Sequence, residues 1–332
     1  MKVLFIGGSG EISLPCVREA VGAGHRVTVY NRGRNLGDLP SEVEAVAGDI
    51  EDAGAFRTLA ARGFDVVCQF LALTADRVER DLAALAGRTG QYILVSSAAV
   101  YDKRAAGTPL TEEAPLGNGL WDYARQKLAC ERVLREQDRL DYTIVRPAHT
   151  IRARLPTMML EGDMIGRRML AGRPVVIADD GDVPWTLTRA SDFAVPFVRL
   201  FGRAEAFGEA VHIAAGHGHG WSDIYRALGR SLGVEAHIVH VPAETLCEFN
   251  EEWRGPLLGD KVWPTVFDCS KIRRLVGGFE ASADLDAILG EPVAHFLRRY
   301  AATPPGETAM DRLVDRIVES RAVASRDHRG ST

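Results

Sequence analysis

In the segment WDYARQKLACERVL, Tyr123 and Lys127 lie four residues apart. On a helix this spacing puts both side chains on one face, about 5 to 6 Å apart at Cβ. A free phenol, with a pKa near about 10, is a poor base at neutral pH. A cation about 4 Å away, at an effective dielectric near about 20, is worth roughly 4 kcal/mol, or about three pKa units. Lys127 is therefore expected to bring Tyr123 into the working range of a proton carrier. Upstream, VSSAAVYD places Ser96 and Ser97 at the end of an apolar run, and a hydroxyl there can donate to an oxygen as charge builds on it. Ser97, Tyr123 and Lys127 form the candidate catalytic set, for proton transfer at a secondary alcohol or ketone alongside hydride transfer.

Those groups need a scaffold, and the apolar pattern supplies one. Lys2 to Ile6, Val27 to Tyr30, Val43 to Ala47, Asp65 to Leu71, Tyr92 to Val95 and Tyr142 to Val145 are predicted strands. Most are continuous Val, Ile, Leu and Phe, as strands covered on both faces must be. Helical patterns at about 14–23, 53–61, 75–86 and 121–136 alternate with them. This order predicts a Rossmann-type α/β fold, a doubly wound parallel sheet, with Ser97 at the carboxyl edge where such sheets bind ligands. After Pro147 the rhythm loosens. Residues 1–150 are expected to bind a dinucleotide. Residues 151–322 should form a smaller, mainly substrate-binding region with some elements returning to the core, and 323–332 a flexible tail. Ser222, ahead of an apolar-periodic run, is the expected helix cap there.

GGSGEIS follows the first strand directly. Gly7 and Gly10 allow a tight turn and bring backbone N–H groups to a pyrophosphate at a helix N-terminus. Glu11 is an oddity there, because a carboxylate repels phosphate unless it points away. At the end of the second strand, where an acid usually holds the 2′-hydroxyl of NAD, the chain has Asn31, Arg32 and Arg34. Guanidinium groups suit a 2′-phosphate, so the expected cofactor is NADP in preference to NAD. Asp49, in GDIED, is placed to meet the adenine. Ile12, Ile50, Leu71, Ala72 and Lys127 complete the cofactor set.

Composition narrows the partners. With 40 Lys and Arg against 45 Asp and Glu, the net charge is −5, so no global positive field draws the chain to nucleic acid or an anionic membrane. Five well-separated cysteines without a CxxC pair are expected to be free thiols in a reducing cytoplasm. His217 and His219, in GHGHGW, lack Cys or carboxylate partners, and no metal site is expected. Asp179, Asp180 and Asp182 suit a loop better than a cation site. Arg152, Arg154, Arg167, Arg168 and Arg173 are either a grip on a substrate anion or a solvated face.

The chain resembles the extended short-chain dehydrogenase/reductases, of the NAD-dependent epimerase/dehydratase type, over about residues 1 to 300. GGSGEIS resembles the family's GGTGFIG turn, GDIED its acidic third-strand ending, SSAAVY its serine strand and YARQK its catalytic pair. VRPAHT resembles the strand leading to the substrate region. The resemblance selects Ser97, four residues before Tyr101, and implies reversible oxidation of a secondary alcohol by an epimerase or reductase, often on an activated sugar. It also implies a homodimer paired through the helices at about 75–86 and 121–136. Trp185 stands where sugar-nucleotide epimerases have an arginine, and His149 where they often have an asparagine, so both become substrate-pocket candidates. NRGR, FLALTAD and WTLT resemble a branch that includes chloroplast stem-loop RNA-binding proteins, many of which lack the tyrosine that this chain keeps. The expected substrate is a small polyhydroxylated, sugar- or nucleoside-like molecule. The alternatives are a ketoreductase of a natural-product intermediate and a non-catalytic cofactor-sensing or RNA-binding protein.

Overall fold

In the computed structural model, which describes residues 1–33, 38–158, 162–302 and 306–329, the strand Lys2–Ile6 (β1) shows why the apolar runs are continuous. Val3 and Phe5 enter one core with Cys16, Val17 and Phe197, while Leu4 and Ile6 enter another with Phe56, Leu82 and Leu134. Successive side chains point to opposite faces, and both faces are covered. The remaining strands are Arg26–Asn31 (β2), Glu44–Ala47 (β3), Phe64–Gln69 (β4), Thr89–Val95 (β5), Tyr142–Pro147 (β6), His149–Ile151 (β7), Val175–Ala178 (β8), Leu187–Arg189 (β9), Ala210–Ile213 (β10) and Ile238–Val241 (β11).

Seven of them form one parallel sheet in the order β3-β2-β1-β4-β5-β6-β10. Helices Ser13–Gly22 (α1) and Ala190–Arg199 (α6) cover one face; Ala53–Ala60 (α2), Ala75–Leu85 (α3) and Asp122–Arg135 (α4) cover the other. The strand order reverses between β1 and β4, which opens a crevice at the carboxyl edge. This is the doubly wound fold that the pattern predicts, with ends shifted by up to three residues.

A second core gathers Gly162–Leu170 (α5), β8, Trp221–Leu232 (α7), β11, Ala243–Phe249 (α8) and the helices Leu285–Ala302 and Ala309–Arg329. Short paired elements cross between the two bodies: β7 pairs with β9, aligning His149 with Leu187. These three-residue strands carry no periodicity of their own, and Leu285–Ala302 contains Pro292, so the sequence reading passes over them. Ser222 is not the cap of α7. Gly220 holds that position, and the Ser222 hydroxyl donates to the Asp180 carbonyl at 3.4 Å. The final helix runs to Arg329 where composition alone expects fraying; residues 330–332 lie outside the described residues. No helix among the described residues is long and apolar enough to cross a membrane. The apolar stripes of α3 and α4 point inward, leaving Asp76, Glu79, Arg80, Arg125 and Arg132 exposed.

Candidate active site

Strand alternation separates the two serines at the end of β5. Ser96 points into the body, where its hydroxyl donates to Glu131 Oε1 at 2.6 Å. Ser97 caps the short turn Ala98–Val100, its Oγ accepting the Ala99 N–H at 3.1 Å, and lines a cavity of about 280 Å3. Tyr123, in the first turn of α4, lies on the same cavity wall. Burial pushes the Tyr123 phenol above its ordinary pKa, a hydrogen bond with Ser97 pulls it partly back, and the nearby Asp260 carboxylate adds to the rise.

One turn further along α4, Lys127 is only 5% exposed. Its ammonium donates to the Ala72 carbonyl at 2.8 Å and the Val95 carbonyl at 3.0 Å, and lies 6.0 Å from the centroid of the Tyr123 ring. The expectation that Lys127 depresses the phenol's pKa is therefore corrected for this arrangement. The ammonium is turned to main-chain carbonyls at the ends of β4 and β5, and the phenol remains protonated. Tyr101, the reference point for Ser97, is itself out of play, its hydroxyl held by His212 Nε2 at 2.5 Å and Arg146 at 2.6 Å.

The glycine turn has the backbone a phosphate cradle needs. Gly7 has φ +89°, and a Cβ there would come within 2.5 Å of Leu71, so a side chain is excluded on both counts. Ser13 accepts the Gly10 N–H at 2.8 Å, and Ile12 caps α1. Glu11 is turned away from the turn's donors: one carboxylate oxygen accepts the N–H groups of Arg152, Ala153 and Arg154 at 2.7, 2.6 and 3.0 Å. The like-charge conflict at this position is thereby removed, and Glu11 becomes a tie between the glycine turn and the segment after β7.

At the end of β2, Asn31 accepts from Gly33 N–H at 2.8 Å and donates to Ser9 at 3.3 Å, while Arg32 is exposed. Arg34 lies outside the described residues. Asp49 is exposed and closes its own turn by accepting the Glu51 N–H at 2.9 Å; the Ile50 carbonyl accepts from Arg77. Leu71 is 49% exposed beside Gly7, and Ala72 is buried with its carbonyl on Lys127. Gly7, Asn31, Asp49 and Leu71 thus follow the carboxyl ends of β1 to β4, with exposed apolar surface on Leu71. These residues suit an extended nucleotide lying across the crevice.

Beyond Tyr123 the cavity is closed by His149 and Trp185, with Trp121, Lys103, Asp260, Lys261 and Thr265 completing the far wall. The Trp185 indole donates to His149 Nδ1 at 3.1 Å, which leaves the proton of the neutral imidazole on Nε2. Burial, aided by Lys261 and Lys103, pushes His149 down to about 3, so it is neutral at physiological pH. Both substrate-pocket candidates therefore meet at one wall. The sequence reading missed Lys103, Trp121, Asp260, Lys261 and Thr265. Apart from Trp121, none lies in a short motif; Leu257–Lys261, packed through Gly259 against Asn118 and Leu120, brings Asp260 and Lys261 to the cavity, and a bridge to Trp185 brings Thr265.

Other candidates have structural partners. Arg167, Arg168 and Arg173 pair with Asp311, Asp315 and Glu307 of the C-terminal segment, so they hold helices together rather than grip a ligand. His217 Nε2 meets the Ser282 carbonyl at 2.9 Å. Asp179 accepts the Ala243 N–H at 2.9 Å and Asp180 the Asp182 N–H at 3.0 Å, which closes the acidic turn. The five cysteines are free and buried. Among the described residues no group of three or more His, Cys, Asp or Glu could hold a metal ion.

Comparison with known proteins places this geometry. A family model described as NAD(P)H-binding matches residues 7–158. The 2′-dehydrokanamycin reductase of Streptomyces kanamyceticus is 31% identical over 286 residues, covering 84% of this chain and 80% of that protein. The chloroplast stem-loop binding protein of 41 kDa b of Arabidopsis thaliana is 29% identical over 254 residues, covering 72% and 65%. Among solved structures, an epimerase from Methanothermobacter thermautotrophicus superposes with a TM-score of 0.75 at 17% identity, over 90% of this chain and 93% of the other. With its parallel sheet, glycine turn and these relatives, the chain belongs to the extended short-chain dehydrogenase/reductases of the NAD-dependent epimerase/dehydratase type.

Proposed function

We propose that the protein is an NAD(P)-dependent oxidoreductase that reduces a ketone, or oxidises the matching secondary alcohol, on a small polyhydroxylated substrate. The observation that carries this reading is the meeting of Ser97 and Tyr123 on one cavity wall, with the Lys127 ammonium behind them at the junction with the nucleotide crevice. A bound nicotinamide supplies or accepts the hydride. The chain's own residues handle the proton and the oxygen. Ser97 donates to the carbonyl oxygen, and Tyr123, kept protonated by burial, delivers its proton to the developing alkoxide. A phenol that starts as an acid suits reduction, and the reductase relative supports that direction over epimerisation. Residues 1–150 serve the nucleotide and 151–322 mainly the substrate. Arg32 and Arg34 support NADP over NAD, and α3 and α4 are the proposed homodimer surface, where exposed charge would make the pairing ionic.

The test is Tyr123→Phe, assayed by reduced-nicotinamide absorbance over a panel of keto sugars and natural-product ketones. Turnover should fall by about 10²- to 10⁴-fold while nucleotide binding persists; unchanged turnover would refute the proton role. A stem-loop binding role, suggested by the name of the Arabidopsis relative, predicts instead that the variant is fully functional, and it stands against the net charge of −5.

A further inference from the structure

The cavity's far wall buries more positive than negative charge. Lys103, Asp260 and Lys261 are 5%, 6% and 8% exposed, and all three line the cavity. Lys103 is neutralised by Asp260 Oδ1 at 2.5 Å and lies 4.6 Å over the Trp185 ring. Among the described residues Lys261 has no carboxylate within ion-pair distance, Asp260 being taken by Lys103. Its ammonium donates to the Thr157 carbonyl at 2.6 Å and lies 5.7 Å from the centroid of the Trp221 ring. Among the described residues Asp260 is the sole acid lining the cavity, and His149, on the same cavity, is neutral. A buried ammonium with one neutral acceptor leaves donors unsatisfied and is costly; burial first, and Lys103 in smaller part, push Lys261 down to about 8 against the upward pull of the neighbouring Asp260 charge. Such a group is relieved by an anion that brings both acceptor oxygens and charge. Sites for small molecules run from about 300 Å3 upward, so a cavity of about 280 Å3 suits a sugar-sized molecule.

We propose that Lys261, with Lys103 and Asp260 beside it, forms an anion subsite opposite Ser97 and Tyr123, so that the substrate carries one acidic group as well as the reacting carbonyl. The inference deepens the oxidoreductase reading and rests on it for the position of the carbonyl. Carboxylate and phosphate ester share the chemistry that an ammonium recognises, and the probes separate them.

Calorimetric binding to the whole protein, preloaded with oxidised nicotinamide nucleotide, compares glucuronate, glucose 6-phosphate, glucose and glucosamine. At least one anionic probe should bind about tenfold or more tightly than glucose, with glucosamine weakest; which anion wins identifies the group. Lys261→Met should abolish that preference, whereas Lys261→Arg should keep it. Absence of any anionic preference in the unaltered protein, or its survival in Lys261→Met, overturns the subsite. Binding is read without turnover, so the two readings fail separately. Absence of the preference in the unaltered protein with turnover intact sinks only the subsite; an unaffected Tyr123→Phe enzyme with the preference intact sinks only the proton role.

Discussion

Of the places where the described residues bury cations, two treat them differently. Beneath the sheet, between β5, β6 and α4, Arg146 is 1% exposed and locked to Glu131, at 2.7 and 3.0 Å, with Ser96 on the same carboxylate. Around the cavity, where Lys103 is paired with Asp260, Lys127 and Lys261 have only carbonyl oxygens as acceptors among the described residues. A paired charge is complete within the fold, whereas one held only by neutral acceptors has capacity left for a ligand. On the proposed reading, the difference separates the Arg146 charge, which specifies structure, from the Lys127 and Lys261 charges, which serve ligands.

The sharpest way to break the comparison is to remove a partner from the complete pair. Arg146→Met should lower stability by about 3 kcal/mol in denaturant unfolding, the low end of the range for a broken buried pair, because Arg135 remains 3.0 Å from Glu131. A loss under about 1 kcal/mol would mean that the pair is incidental. Burial raises the Glu131 carboxyl, but the Arg146 hydrogen bonds and charge outweigh it and hold it below the usual glutamate range. A depressed folded value means that this stability is present above the ordinary glutamate pKa near about 4.3 and drains as acid protonates the folded form. Acid titration of unfolding should therefore show a loss in the unaltered protein that Arg146→Met largely lacks.

Next in size, Ser97→Ala should cut turnover about a hundredfold with little change in stability, since its hydroxyl faces the cavity. An equal loss from Ser96→Ala at unchanged stability would erase the distinction drawn from strand alternation. The smallest effect on stability belongs to Lys127→Met, which should shift unfolding by less than about 1 kcal/mol, because removing an unpaired buried charge offsets its lost hydrogen bonds. The same variant should lose nucleotide affinity by fluorescence titration. A large destabilisation would place Lys127 with Arg146 after all.

What the sequence made legible follows the same division. The sheet could be read because its inner strands are apolar on both faces, and Tyr123 with Lys127, or Gly7 with Gly10, because local spacing alone brings them together. The far wall could not. Lys103 follows β5, Lys261 lies in Leu257–Lys261, and His149 and Trp185 meet through two three-residue strands. Their proximity belongs to the tertiary path, which no periodicity announces. Lys127 was recognised by type, but the direction of its ammonium depended on which carbonyls lay within reach.

Glu11 fastens the glycine turn to residues 152–154 through a single oxygen, and that segment leads on to Thr157, the acceptor for Lys261. Whatever steadies the turn steadies the approach to the far wall. Initial-rate kinetics should accordingly show compulsory order, the dinucleotide arriving first and leaving last, with the second reactant entering a seat that the first has finished.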